Sequence, residues 1–245
     1  MHTVSPSVQE LYVTPEVTQL RNNLALALRA AHYHDLAEGV CNHFSILLAG
    51  QSDLFLLNPQ GLMWSEITAD DIVLVDSDGN RVAGVHEIEP TAMFIHAAIH
   101  RITTKRCVLH THMPYATALS LTQSGMLDTR LSQNAMRFHN RVIADNAYNG
   151  FAFNHSEGER IAHALNNADI AFLGNHGVVV CNDRIDYAYD DLYYLERACS
   201  AEILARSSGL PLRRASNEVA LKVAAQANKE RLQSELFFKA LARIL

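Results

Sequence analysis

No uninterrupted apolar stretch of the 245-residue chain approaches the roughly 18–20 residues that a membrane-spanning helix needs. Cysteine is scarce. The four present (Cys41, Cys107, Cys181 and Cys199) lie far apart with no CxxC, which argues against a zinc ribbon and a disulfide-dense scaffold and predicts buried, reduced thiols. Positive charge is in deficit, 20 Lys+Arg against 26 Asp+Glu, for a formal charge of −6. Nucleic acid is therefore not an expected partner, because phosphate contacts need a basic face. Met1 to Thr14 has no basic stretch followed by an apolar one, so no secretory signal is expected, and with reduced thiols the expected compartment is the cytoplasm. No repeat, low-complexity tract or Pro/Gly/Ser linker divides the chain. What is there is 49% hydrophobic and 19% charged residues, enough for a sizeable core in a single domain over 1–245.

Periodicity alternates between helix and strand. Pro15 to Tyr33 spaces Val17, Leu20, Leu24 and Leu28 as an amphipathic helix, and Thr91 to Ile102, Pro114 to Thr122, Glu157 to Asn166, Tyr187 to Arg206 and Glu218 to Leu245 also read as helical. Phe44 to Leu48, Asp53 to Leu57, Ile72 to Asp76, Cys107 to Leu109, Ala171 to Leu173 and Val178 to Cys181 are short apolar runs of strand type. Asn58-Pro59-Gln60-Gly61 and Ser77-Asp78-Gly79-Asn80 are turns, and Thr68 with Ala69-Asp70-Asp71 starts a helix or a tight turn. Strands and helices mixed along an undivided chain predict an α/β domain with a central sheet covered by helices. The tyrosines at 187, 189, 193 and 194 read as helix packing or a subunit interface, and Lys105-Arg106 as a solvated basic pair.

Among 13 histidines, the sharpest local pattern is His110-Thr111-His112, directly after a short apolar run. On an extended backbone, residues i and i+2 share a face, so two imidazoles can aim at one point and approach the 2.0–2.1 Å that zinc–nitrogen bonds require. Alone, the pattern also fits ordinary core histidines. His176, in Gly174-Asn175-His176-Gly177 between two apolar runs, is a third candidate: glycines there let the chain turn and a side chain project into a cleft. Three histidines without an evident fourth ligand suit an open, catalytic coordination shell better than a closed one, and a turn-capping His176 is the competing reading.

These segments, taken in order, resemble the class II aldolase/adducin family over roughly 24–208. Asn42-His43-Phe44-Ser45 is similar to the family's Asn-x-Ser region, and Leu57 to Leu62 with Ile67 to Asp76 resembles its turn and following strand. His96-Ala97-Ala98-Ile99-His100 resembles the family's His-x-x-x-Tyr helix with His100 at the usual Tyr; Cys107 to Ala116 resembles the HxH segment and Phe172 to Gly177 the Asn-His-Gly segment. The resemblance implies a three-layer α/β/α fold with a mixed central sheet and assembly as a homo-oligomer, commonly a tetramer; beyond the stretch it covers, the helical pattern predicts a C-terminal extension over 216–245. It implies a divalent metal, usually zinc, with manganese or iron as alternatives, on His110, His112 and His176. In catalytic members that metal binds substrate carbonyl and hydroxyl oxygens and stabilises an enediolate as a carbon–carbon bond breaks, while a second group moves the proton.

The chain also departs from the family pattern. The Glu that sugar-phosphate aldolases carry four residues before His96 is Ala92 here, and the two preceding Ser that help hold phosphate align with Pro90 and Thr91. Gln60 stands where a small hydroxyl or Gly is expected. Phosphate needs converging N–H and hydroxyl donors, so sugar-phosphate cleavage is disfavoured. Glu89 and Tyr115 are the candidates for proton transfer, with His139 and His155 as further ones; Asn42, Gly61 and Thr91 are the substrate-binding candidates. The expectation is a metal-dependent carbon–carbon lyase, of aldolase or decarboxylase type, for a small non-phosphorylated oxo or hydroxy acid or aldehyde adduct. An adducin-like interaction domain and a non-haem iron oxygenase of aryl keto acids are the alternatives. Three retained convergent imidazoles speak against a pure scaffold.

Overall fold

The computed structural model describes residues 7–51, 53–152 and 154–245, so the first six residues of the segment read for a leader lie outside the described residues. Two helices come first: α1 (Val8–Tyr12) and α2 (Pro15–Tyr33). Strands β1 (His43–Leu47), β2 (Leu54–Leu57), β3 (Val73–Asp76) and β4 (Arg81–Ala83) form an antiparallel series, followed by α3 (Pro90–Thr103), β5 (Cys107–Thr111), α4 (Pro114–Ser120) and α5 (Gln133–Met136). Then come β6 (Val142–Asp145), α6 (His155–Leu165), β7 (Ile170–Leu173), β8 (Gly177–Asn182), α7 (Ile185–Ser207), α8 (Asn217–Lys229) and α9 (Leu232–Leu241). Among the described residues one eight-stranded sheet runs β4-β3-β2-β1-β5-β8-β7-β6, with only the β6–β7 pair parallel. The sheet is mixed, as expected.

Local chemistry explains the helix bounds. Thr14 caps α2 by accepting from the Val17 N–H, and Pro15 occupies the first turn, where its missing N–H costs nothing. Glu89 caps α3 in the same way with Pro90 after it, and α3 ends at Thr104, in the left-handed region at φ +59°. The C-terminal stretch read as one helix is two, α8 and α9, parted at Glu230 and Arg231. The break lets Arg231 reach Asp191 on α7 (3.0 Å) while Phe238 and Leu241 pack into the main core. Four short elements escaped the periodicity reading: β4 and β6 are sheet edges, α1 is five residues long and α5 is a single turn, each too brief to show a pattern.

Strand alternation sends side chains to two covering layers. From β5, Cys107 and Leu109 join the main core with α2, α4 and α7, whereas Val108 packs with Ile95 and Ile99 of α3 and Ile161 of α6. The layers are thus helix, sheet and helix. His110 shares parity with Val108, and His43 and Ser45 lie opposite His110 and Val108 across the β1–β5 ladder. All four side chains therefore face α3. Lys105 is not a solvated loop residue but pairs with Asp169 (2.5 Å), which also binds Arg141 (2.6 Å). Cys41 departs from the buried-thiol expectation: it is exposed, whereas Cys107, Cys181 and Cys199 are buried.

Arg141 also holds the fully buried Asp191 (2.6 Å), whose carboxyl lies below its usual range because the attraction of Arg141 and Arg231 outweighs burial. Arg141→Met removes one of these partners and leaves a buried charge half-compensated. The expected loss is about 3 kcal/mol of unfolding free energy by urea denaturation; an unchanged midpoint would contradict this assignment.

Candidate metal and substrate site

His110 is buried near the end of β5, and its Nδ1 lies 2.9 Å from the Val178 carbonyl on β8. A carbonyl only accepts, so Nδ1 carries the proton and Nε2 is bare. His112, just past the strand, places Nδ1 2.5 Å from Glu38 Oε2, and its Nε2 is buried with no hydrogen-bond partner. His176 stands in the β7–β8 turn, its ring centroid 4.8 Å from that of His110 and 4.9 Å from that of His112. Burial, followed by repulsion from the neighbouring histidines, holds His110 well below the usual imidazole range; burial and then His112 lower His176 to about 4.

The turn around His176 works differently from the sequence expectation. Asn175, not a glycine, takes the left-handed conformation at φ +58°. Gly177 serves close approach: a Cβ there would lie 2.6 Å from the Thr111 carbonyl oxygen and 2.7 Å from His112 Cδ2. The missing side chain is what allows the turn to sit against the HxH segment.

One nitrogen from each of the three histidines falls within a set no more than 4.8 Å apart. Tetrahedral ligands at 2.0–2.1 Å from an ion stand about 3.4 Å from one another, so modest side-chain rotation closes the set. The orphaned Nε2 of His112, the bare Nε2 of His110 and the Glu38 carboxylate behind His112 are what a divalent metal ion needs, so the residues fit.

The histidines open on a cavity of about 870 Å³ that Asn42, His43, Gly61, Glu89 and Thr91 also line. Asn42, at φ +73°, accepts from the His112 N–H (3.2 Å) through Oδ1, while its buried Nδ2 has no partner. Glu89 Oε2 accepts from the Ala92 N–H (2.7 Å) and the Thr91 hydroxyl (2.5 Å). Ala92 itself packs against Phe55, Leu57 and Val75, away from the cavity. The structure thus gathers Asn42, Gly61, Glu89 and Thr91 around the histidines but does not bring in Tyr115, which lies in the first turn of α4, 37% exposed, with its backbone N–H on Glu196 (2.7 Å). His139 is engaged by Thr129 and Asn217, and His155 packs on Phe94; neither lines the cavity.

Two contributors were not singled out in the sequence. Glu38 sits in a polar loop with no local signal, whereas His43 was visible within the Asn42 to Ser45 motif. His43 Nδ1 lies 2.7 Å from His96 Nε2, His96 Nδ1 2.5 Å from Ser45 Oγ, Ser45 Oγ 2.7 Å from His100 Nε2, and His100 Nδ1 2.7 Å from the Lys105 carbonyl.

The sequence profile of the Class II Aldolase and Adducin N-terminal domain matches residues 22–203. The chain belongs to this family. A protein of Pseudomonas aeruginosa provisionally named as a class 2 aldolase is 34% identical over 214 residues, covering 86% of this chain and 81% of its own. The decarboxylase NovR of Streptomyces niveus is 29% identical, covering 76% of this chain and 70% of its own; human beta-adducin is 27% identical, and the match spans 26% of its length. Among solved structures, an aldolase II superfamily protein of Pseudomonas syringae superposes with a TM-score of 0.87 at 33% identity, covering 94% and 93% of the two chains. L-fuculose 1-phosphate aldolase of Glaciozyma antarctica (TM-score 0.82, 21% identity, 98% and 94% covered) shares the class II aldolase fold.

Burial depresses His43 to about 3, with His112 and His176 adding to it, and His100 to about 4, against the ordinary 6.5. The folded state therefore binds fewer protons than the unfolded chain below pH 6.5, so this stability is complete above 6.5 and is lost as pH falls toward 4. Metal-free protein should lose on the order of 3 kcal/mol through His100 alone between pH 7 and 4, and His100→Phe should flatten the slope. A pH-independent wild-type unfolding free energy across that range would contradict the assignment.

Proposed function

We propose that this chain is a metal-dependent carbon–carbon lyase, of aldolase or decarboxylase type, acting on a small non-phosphorylated oxo or hydroxy acid or aldehyde adduct. The observation that carries the reading is the convergence of His110, His112 and His176 at the cavity, with bare nitrogens on His110 and His112. An adducin-like interaction domain would leave that convergence without a use. Zinc is the proposed ion, since three imidazoles with an open position are its usual catalytic set. A divalent ion held there supplies Lewis acidity to the substrate's oxygens.

The chain's own groups divide the remaining work. Glu38 orients His112 and keeps its Nε2 free for the ion. Asn42 Nδ2, a buried donor without a partner, binds a substrate oxygen. Glu89, held by the Ala92 N–H and the Thr91 hydroxyl, moves the proton in place of the carboxylate that Ala92 lacks. Among the described residues, the cavity lining contains no lysine or arginine, which suits a substrate without phosphate. The decarboxylase among its relatives supports the carboxy-lyase branch. A homotetramer is the proposed assembly, on the family resemblance.

The test is a screen of zinc-loaded protein for aldehyde or carbon dioxide release from small oxo and hydroxy acids, with Glu89→Gln alongside. The account expects turnover of a non-phosphorylated acid or adduct and a kcat roughly 10²–10⁴-fold lower in Glu89→Gln with its metal retained. Cleavage confined to sugar phosphates, or wild-type turnover by the variant, would contradict it.

A further inference from the structure

The chain from His43 to the Lys105 carbonyl has a direction, and the direction fixes which nitrogen of His43 meets the substrate. The Lys105 carbonyl has no proton to give, so His100 Nδ1–H donates to it across 2.7 Å. His100 Nε2 is then a lone pair, and the Ser45 hydroxyl donates to it (2.7 Å). Ser45 Oγ accepts from His96 Nδ1–H (2.5 Å), which leaves His96 Nε2 bare to accept from His43 Nδ1–H (2.7 Å). The reverse order would set the His100 Nδ1 lone pair against the Lys105 carbonyl at 2.7 Å, two acceptors in contact inside a dry wall. An added proton would be a charge in the same wall: burial holds His96 well below the usual range and His100 at about 4. His43, His96 and His100 are 5%, 0% and 3% exposed, so no bulk water competes for these bonds.

We infer that His43 is a specificity-determining residue whose Nε2 is a fixed hydrogen-bond acceptor in the cavity wall, and that the substrate presents a hydroxyl to it. Nε2 stands 3.9 Å from Glu89 Oε2, too far for a hydrogen bond, so two acceptors lie side by side on that wall, whereas Asn42 offers a donor. A carbonyl or carboxylate oxygen placed at His43 would meet only lone pairs; a hydroxyl is accepted. The substrate half of this inference rests on the lyase reading, while the tautomer stands on the hydrogen-bond chain alone.

Nitrogen-15 NMR of the full-length, zinc-loaded, histidine-labelled protein reads the tautomer, with the His43 signals assigned by their loss in His43→Gln. The expected result is a protonated, pyrrole-type Nδ1 and a pyridine-type Nε2. A protonated Nε2 overturns the inference. In His100→Phe the serine loses its acceptor and can donate to His96 instead, so His43 should become a mixture of tautomers with zinc content unchanged; a wild-type spectrum there overturns the relay. For the substrate half, the probes are glycolohydroxamate and acetohydroxamate, which chelate a divalent ion through the same oxygens and differ by one hydroxyl. Glycolohydroxamate should bind at least about tenfold more tightly, an advantage lost in His43→Phe. Equal binding by wild type overturns the hydroxyl preference while leaving the lyase reading standing. Binding of neither probe overturns both, with the tautomer still decided by the spectrum.

Discussion

The pairing of β5 between β1 and β8 is the constraint on which the functional architecture depends. It sets His43 opposite His110 on one side and brings the Val178 carbonyl to His110 Nδ1 on the other. A slip of one residue in either ladder would turn His110 and Val108 from the α3 face to the α2 and α7 face. The three-histidine cluster would come apart, and His110 would no longer stand beside His43. The same ladder brings the β7–β8 turn over the strand end, and Gly177 permits contact where a Cβ would collide.

From that pairing follows a division of the sheet's α3 face. Toward α6, Val108, Ile95, Ile99 and Ile161 make an ordinary apolar layer. Toward the cavity, the same parity presents His43, Ser45 and His110 to His96 and His100, so a polar wall is built into a position that would otherwise be core. Such groups are tolerated because every ring in the wall has a hydrogen-bond partner, and the rings with one bare nitrogen, His43 and His110, line the cavity. His112 Nε2 and Asn42 Nδ2 are buried atoms without protein partners, and both residues line the cavity.

Much of this was legible in the sequence where the physics is local. The apolar spacing over Pro15 to Tyr33 marked α2, the His110-Thr111-His112 alternation needed only an extended backbone, and the Asn-His-Gly turn carried the third histidine. The departure at Ala92 also had a structural counterpart, since Ala92 is packed in the core while Glu89 reaches the cavity. What escaped depends on contacts distant in sequence. Glu38 meets His112 across 74 positions, His43 meets His96 across 53, and the α8–α9 break is matched by an Arg231–Asp191 pair that no periodicity reports. Tyr115 illustrates the converse: nearness in sequence to His112 suggested a shared site, but the first turn of α4 carries it out of the cavity lining.

The central claim is that His110, His112 and His176 hold a divalent metal for chemistry. Elemental analysis of untagged protein purified without added metal, beside a His176→Ala control, tests it most directly. The account predicts about one zinc ion per chain in the wild type and its loss in the control. No stoichiometric metal, even after reconstitution, would contradict the lyase reading and favour an interaction domain.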